Sequence, residues 1–149
     1  MNQATDTLKK EIQKELTENI LPYWMNHMID DENGGFYGRI TGNGVLMPNA
    51  EKGAVLNARI LWTFSAAYRV LRQDKYLVTA SRAKRYLIDH FYDQSYGGIY
   101  WSLDKNGEPL DTKKQIYAIG FAIYGLSEYH RATGDSEALE YAVKLFHDI

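Results

Sequence analysis

The chain has 149 residues, a net charge of −2 from 17 basic and 19 acidic side chains, and 45% hydrophobic residues. That length suffices for one domain with a core, and the charge balance offers no basic excess to hold a nucleic-acid backbone or an anionic membrane. Cysteine is absent, which excludes disulfides and thiolate metal sites.

Residues 1–14 are polar and charged, without the apolar core of a signal peptide, and no later run is long and uncharged enough to span a bilayer. A cytoplasmic protein forming one domain over residues 1–149 is the expectation. Leu8, Ile12, Leu16 and Ile20 recur at i+4 and form a narrow apolar stripe on a first, amphipathic helix with one wet side. Pro22 should kink or restart it. A long connection, residues 28–51, follows and holds Asp31-Glu32-Asn33-Gly34-Gly35-Phe36-Tyr37. Residues 35–41 read as a short strand, and Gly42-Asn43-Gly44 as a turn that closes a hairpin.

The second helix, residues 52–72, carries apolar side chains around almost its whole circumference, which marks an element buried on all sides. The third, residues 75–92, is amphipathic: Tyr76, Leu77, Ala80, Ala83 and Leu87 face in. Its Arg82, Lys84 and Arg85 read as a solvated face. A second long connection, residues 93–113, holds Gln94-Ser95-Tyr96-Gly97-Gly98-Ile99-Tyr100-Trp101, a strand at 98–103 and a turn at Lys105-Asn106-Gly107. The fourth helix, residues 114–131, is again apolar all round. The fifth opens at Asp135 or Ser136, either of which makes a good N-cap.

The pattern repeats. Gly34 and Gly97 stand 63 positions apart, and at almost the same offset Lys52 matches Lys114, Trp62 matches Tyr124, Ser65 matches Ser127, and Tyr68-Arg69 matches His130-Arg131. A fixed period of this length indicates a repeated supersecondary unit. Helices alternate outer and inner, and every long loop falls on one face. The expected fold is all-α: a partial α/α toroid of helix hairpins, about two and a half helix pairs, with short β-hairpins in the rim loops. A solenoid of helix pairs is the alternative, but its repeats are usually shorter.

The residues of that rim are recognisable. Asp31-Glu32-Asn33-Gly34-Gly35-Phe36-Tyr37-Gly38 resembles the first rim loop of the N-acylglucosamine 2-epimerase superfamily, and within it the cellobiose 2-epimerases. Lys52-Gly53-Ala54-Val55-Leu56-Asn57-Ala58-Arg59-Ile60-Leu61-Trp62 resembles the arginine-bearing inner helix of that family. Gly97-Gly98-Ile99-Tyr100-Trp101, Asp111-Thr112-Lys113-Lys114-Gln115-Ile116-Tyr117 and Phe121-Ala122-Ile123-Tyr124-Gly125-Leu126-Ser127 continue the match in order. One Gly-Gly-aromatic motif is weak, whereas five in register are strong.

The resemblance implies six helix pairs closed into a barrel that inverts the carbon next to the anomeric centre of a sugar with a reducing end. A histidine removes the proton alpha to the carbonyl of the open-chain form, an enediolate forms, and a second histidine returns a proton on the opposite face. This is general acid–base chemistry without metal or redox cofactor. In the family both histidines lie on later helix pairs, so this chain is expected to be a truncated form with no catalytic residue of its own. The second reading is a non-catalytic fragment that binds carbohydrate or forms a homo-oligomer covering its exposed inner helices.

The resemblance assigns Arg59 to the sugar side, steadying the enediolate oxygen; the other reading is an internal ion pair, because a buried guanidinium needs a partner. Tyr117 either lines the pocket or packs in the core. Asn57 and Gln115 contact sugar hydroxyls or satisfy helix termini. Trp101, with Tyr100, either stacks on a pyranose or packs the strand core. His27, His90, His130 and His147 read as surface or rim residues, none at metal-ligand spacing from another. The Gly-Gly loops are not phosphate cradles, since no helix N-terminus with Lys-Ser/Thr follows them.

Overall fold

A computed structural model describes residues 3–149; residues 1 and 2, which open the polar N-terminal stretch, lie outside the described residues. The first helix runs as α1 (Gln3–Lys14), widens into a π-helical segment over Glu15–Ile20, and continues as α2 (Leu21–His27). Pro22 sits in the first turn of α2. Its missing N–H interrupts the i→i−4 ladder, and a π-helical segment joins α1 to α2 at the place where a kink or restart was expected. The stripe of that helix is not buried: Leu8, Ile12 and Ile20 are 55%, 58% and 44% exposed, and only Leu16 is half-buried. Leu16 is the member of the stripe that packs against the core.

The inner helices are α3 (Ala54–Leu71) and α5 (Ile116–Thr133), and the outer ones are α4 (Asp74–Tyr86) and α6 (Ser136–His147). α3 packs against both α4 and α5, and α5 against α6. Their faces toward one another carry the core, with Leu61, Phe64, Tyr76, Leu87, Ala122 and Leu126 almost fully buried. Burial all round was expected of both inner helices and does not hold. Val70 of α3 and Ile116, Tyr117 and Tyr124 of α5 are exposed, because each inner helix has an inner neighbour on one side only.

Helix ends follow local chemistry. Asp135 caps α6 by accepting from the Ala138 N–H at 2.8 Å, as its residue type predicted. Both inner helices end on a left-handed residue, Arg72 (φ 54°) after α3 and Gly134 (φ 78°) after α5. α3 begins at Ala54, later than expected, because Lys52–Gly53 form strand β1. That strand joins β2 (Tyr100–Leu103) and β3 (Pro109–Lys114) in one antiparallel sheet of order β1-β2-β3, in which Lys52 pairs with Leu103 and Ser102 with Asp111. The second rim loop therefore contains the expected hairpin. The first has only isolated bridges, Ile29 with Phe36 and Ile40 with Leu46.

Candidate functional site

Each rim loop is fastened to the start of the inner helix that follows it by the same device. In the first, the Asp30 carboxylate accepts from the Glu32 and Asn33 N–H groups at 3.1 and 2.9 Å and turns the chain toward Gly34. Its other oxygen accepts from Lys52 Nζ at 2.8 Å, and that ammonium also donates to the Gly34 carbonyl at 2.6 Å. In the second, Asp93 accepts from the Ser95 and Tyr96 N–H groups at 3.0 and 3.1 Å and from Lys114 Nζ at 2.8 Å. Burial pushes the Asp30 carboxyl up, but Lys52 and the Asn33 N–H together outweigh it and hold it below the ordinary carboxylate value. The Lys114 hydrogen bond, with the two loop N–H groups, holds Asp93 down at about 2.

α4 braces both loops from behind. Arg82, expected in solvent, donates from Nε to the Gly35 carbonyl at 2.9 Å and from a terminal nitrogen to the Asp30 carbonyl. Lys84, also expected in solvent, pairs with Asp135 and Glu137. Both were misread because the partners come from other parts of the chain. Of the three, Arg85 alone is exposed. The buried Tyr86 ring fills the space that a Cβ on Gly35 would need (2.6 Å), and its hydroxyl lies 2.8 Å from where a Cβ on Gly107 would stand. His90 stacks on that ring at 4.3 Å, with Nδ1 3.2 Å from the Gly107 carbonyl oxygen. Burial pushes the Tyr86 phenol up to about 12.

A cavity of about 560 Å³ lies at the rim end of α3, within the span of about 300–1,000 Å³ usual for small-molecule sites. Trp101 and Tyr117 both line it, with Val55 and Leu56 of the first turn of α3. Trp101 is half-buried, with Lys113 Nζ 5.1 Å from its ring centroid. Tyr117 is 63% exposed and meets Phe121 edge-on at 5.0 Å. Asn57, Arg59 and Gln115 are not in that lining. Asn57 is fully buried, its Nδ2 donating to the Gly53 carbonyl at 2.9 Å, while its Oδ1 has no partner among the described residues. Gln115 is the N-cap of α5 and makes no side-chain cap bond; its carbonyl accepts from the Ala118 and Ile119 N–H groups. Arg59 is exposed. The ion pairs among the described residues do not include it, which removes the internal-pair reading and the burial that motivated it.

Sequence reasoning missed Asp30 and Asp93, although they stand at the same 63-residue offset as the glycines. It also missed what the Trp62–Tyr124 match means: the two rings stack on one another, 4.9 Å apart and 9° from parallel, across the two inner helices. His27 and His147 are exposed, and His90 and His130 are half-buried with Nδ1 against the Gly107 and Asp135 carbonyl oxygens. Among the described residues no group of three or more His, Asp or Glu has the placement to hold a metal ion, and no helix is long and apolar enough to cross a membrane.

Paired outer and inner helices, with every sheet-bearing loop on the rim above the inner-helix N-termini, define an α/α toroid with its cavity on that rim. The model of the N-acylglucosamine 2-epimerase (GlcNAc 2-epimerase) family matches residues 34–149, and the chain belongs to that family. It is 74% identical to a cellobiose 2-epimerase of Bacteroides fragilis over 97% of its length and 37% of the relative's. It is 49% identical to one of Ruminococcus albus over 93% of its length and 36% of the relative's. Among solved structures it superposes on the cellobiose 2-epimerase of Bacillus thermoamylovorans B4167 with a TM-score of 0.93 at 43% identity, covering 95% of this chain and 36% of that one. The chain thus spans a little over a third of the length of these relatives. Its helix pairs form part of the six-pair barrel of its structural neighbours.

Proposed function

We propose that this chain supplies the substrate-orienting rim of a sugar 2-epimerase, acting on a mono- or disaccharide with a reducing end. The observation that carries this reading is the exposure of Arg59 and Tyr117 near the rim ends of two adjacent inner helices. A guanidinium free of any ion pair among the described residues is available to a developing enediolate oxygen. In the reaction the C2–H bond breaks, the electron pair moves into the enediolate, and a proton returns to C2 on the other face. Arg59 steadies the anion; Tyr117 and Gln115 orient hydroxyls; Trp101 stacks on a ring; the buried Asn57 instead ties the start of α3 to the Gly53 carbonyl. No metal or redox cofactor enters this scheme. The acid and base are not among these residues. His90 and His130 are held against backbone carbonyls, so the isolated chain is expected to be inactive. Incubating it with cellobiose in D₂O tests this: no deuterium at C2 of the reducing sugar above a protein-free control is expected, and incorporation would overturn it.

We take residues 1–149 as one folding unit of a cytoplasmic protein that engages no nucleic acid. A homo-oligomer is part of the same reading. The uncovered stripe of α1 and the exposed Ile116, Tyr117 and Tyr124 of α5 support it. Light scattering should find a dimer or larger species, and a clean monomer would count against it.

A further inference from the structure

The rim loops carry Asn-Gly pairs at equivalent places. Asn43-Gly44 lies in the turn between Ile40 and Leu46 of the first loop. Asn106-Gly107 closes the hairpin of the second, at the same 63-residue offset as Gly34 and Gly97. The chain has a third such pair, Asn33-Gly34. Asn-Gly is a reactive sequence. Glycine has no side chain to shield its own nitrogen, and that nitrogen can attack the preceding side-chain amide once the backbone bends to bring the two together. The three pairs share this chemistry and differ in what holds them.

Two of them are held firmly. The Asn33 N–H donates to the Asp30 carboxylate at 2.9 Å, and the Gly34 carbonyl accepts from Lys52 Nζ at 2.6 Å. The Asn106 N–H donates to the Asp104 carboxylate at 2.8 Å. Gly107 is buried against Tyr86 and His90, so that a Cβ there would stand 2.8 Å from the phenol oxygen and 2.9 Å from Nδ1. Bending either pair disturbs a buried ion pair or a packed aromatic ring. Asn43 is in another situation. Residues 42–45 are all exposed, and no atom lies within 4 Å of where a Cβ on Gly42 or Gly44 would stand. The turn is closed by the Gly44 N–H donating to the Thr41 carbonyl and the Thr41 N–H donating to the Val45 carbonyl, both at 2.9 Å. Nothing packs on it, so it opens at little cost.

We propose that Asn43 is a deamidation site of the folded chain, and that the fold protects Asn33 and Asn106 from the same reaction. The Gly44 nitrogen loses its proton to hydroxide and bonds to the side-chain carbonyl carbon of Asn43. The bond from that carbon to the amide nitrogen breaks, and ammonia leaves. Water then opens the cyclic imide at either of its carbonyls, which leaves an aspartyl or an isoaspartyl residue. Water is consumed, ammonia is released, and nothing is oxidised or reduced. The product carries one further negative charge, and its isoaspartyl form has one more carbon in the backbone of the turn. The segments on either side of that turn run back to Arg39 and Met47, which line the rim cavity and are joined by the Met47 N–H donating to the Arg39 carbonyl at 3.0 Å. The modified turn thus belongs to the same loop as one wall of the cavity.

Incubation of the folded chain in mildly alkaline heavy-oxygen water labels each new carboxyl, and peptide mapping by mass spectrometry then follows the three asparagines separately. Asn43 should convert about tenfold faster than Asn33 or Asn106, equivalent to about 1.4 kcal/mol in the barrier. In the urea-unfolded chain, where the protection is gone, the three should convert at similar rates. Asn43→Gln should remove most of the acidic species that accumulates on ion exchange. Equal rates at the three sites in the folded chain, or faster conversion at Asn33 or Asn106, overturn the proposal. So does an Asn43 that converts in urea but not in the folded chain, or an acidic species that accumulates unchanged in Asn43→Gln.

Discussion

The two rim loops are copies of one another and yet are not equally secured. In both, an aspartate turns the chain through two backbone N–H groups and is clamped at 2.8 Å by a strand lysine two residues ahead of the next inner helix. In the first loop both side chains are out of water, Lys52 at 1% and Asp30 at 0% exposure. In the second, Lys114 is 32% exposed. The difference comes from what lies over each pair. Tyr86 and Arg82 of α4 press on the first loop, and the Lys52 ammonium lies 5.0 Å from the Tyr86 ring centroid. The Asp93 end of the second loop is instead met by the C-terminal end of α6, where the Gly98 N–H donates to the Asp148 carboxylate just past the helix at 2.7 Å. The same pair of residues is thus wholly buried in one repeat, while in the other the aspartate is buried and its lysine reaches the surface.

Breaking the two clamps should expose that inequality. Lys52→Ala leaves the Asp30 carboxylate buried without its counter-charge and should cost about 3–5 kcal/mol in urea unfolding. Lys114→Ala should cost clearly less, because water reaches the carboxylate's partner position. Equal losses would mean that burial of the first clamp contributes nothing. The pH dependence carries the same sign in both loops. Each aspartate has a lowered folded-state pKa, so its contribution is complete above the unfolded value of 3.8 and is lost as pH falls through the folded one, about 2 for Asp93. In Lys114→Ala the acid limb of a stability–pH curve should move up toward 3.8, where NMR titration of the Asp93 carboxyl can follow it directly.

The smallest effect concerns the far ends of the inner helices. Arg72 and Gly134 are equivalent C-terminal caps, both left-handed, but only Gly134 takes that conformation without a Cβ clash. Arg72→Gly should therefore stabilise the chain by about 1 kcal/mol in the same urea assay. A neutral or negative result would show that the arginine side chain compensates for its backbone.

What the sequence made legible follows the same division. Helices α3 to α6, the Asp135 cap and the second hairpin were readable because periodicity, capping chemistry and turn residues act within a few positions of one another. Residues that act across the fold were not. Arg82 and Lys84 look like any solvated basic residues until Gly35 and Glu137 are brought to them. Asp30 sits in a polar loop where a buried carboxylate is unexpected, and only its repeat partner Asp93 could have singled it out. The apolar stripe of α1 was legible as a stripe, but not its exposure, which depends on what packs beside the helix. Of the candidate site residues, Trp101 and Tyr117 meet at one cavity, while Arg59 proved exposed where burial had been inferred from the apolar residues around it.

Gly125 has a consequence beyond its own position. A Cβ there would stand 2.7 Å from the Ala58 carbonyl oxygen, so the α3 and α5 backbones touch. The faces that meet are built from small residues, Ala54 and Ala58 on α3 and Ala118 and Ala122 in the same stripe as Gly125. Larger side chains fill the space between the inner and outer layers instead: Tyr76 of α4 meets Phe64 of α3, and the Tyr129 hydroxyl of α5 meets Ser81 of α4. The distance between the inner helices is thus set at Gly125 by the absence of a side chain, and a larger residue there would push the two backbones apart.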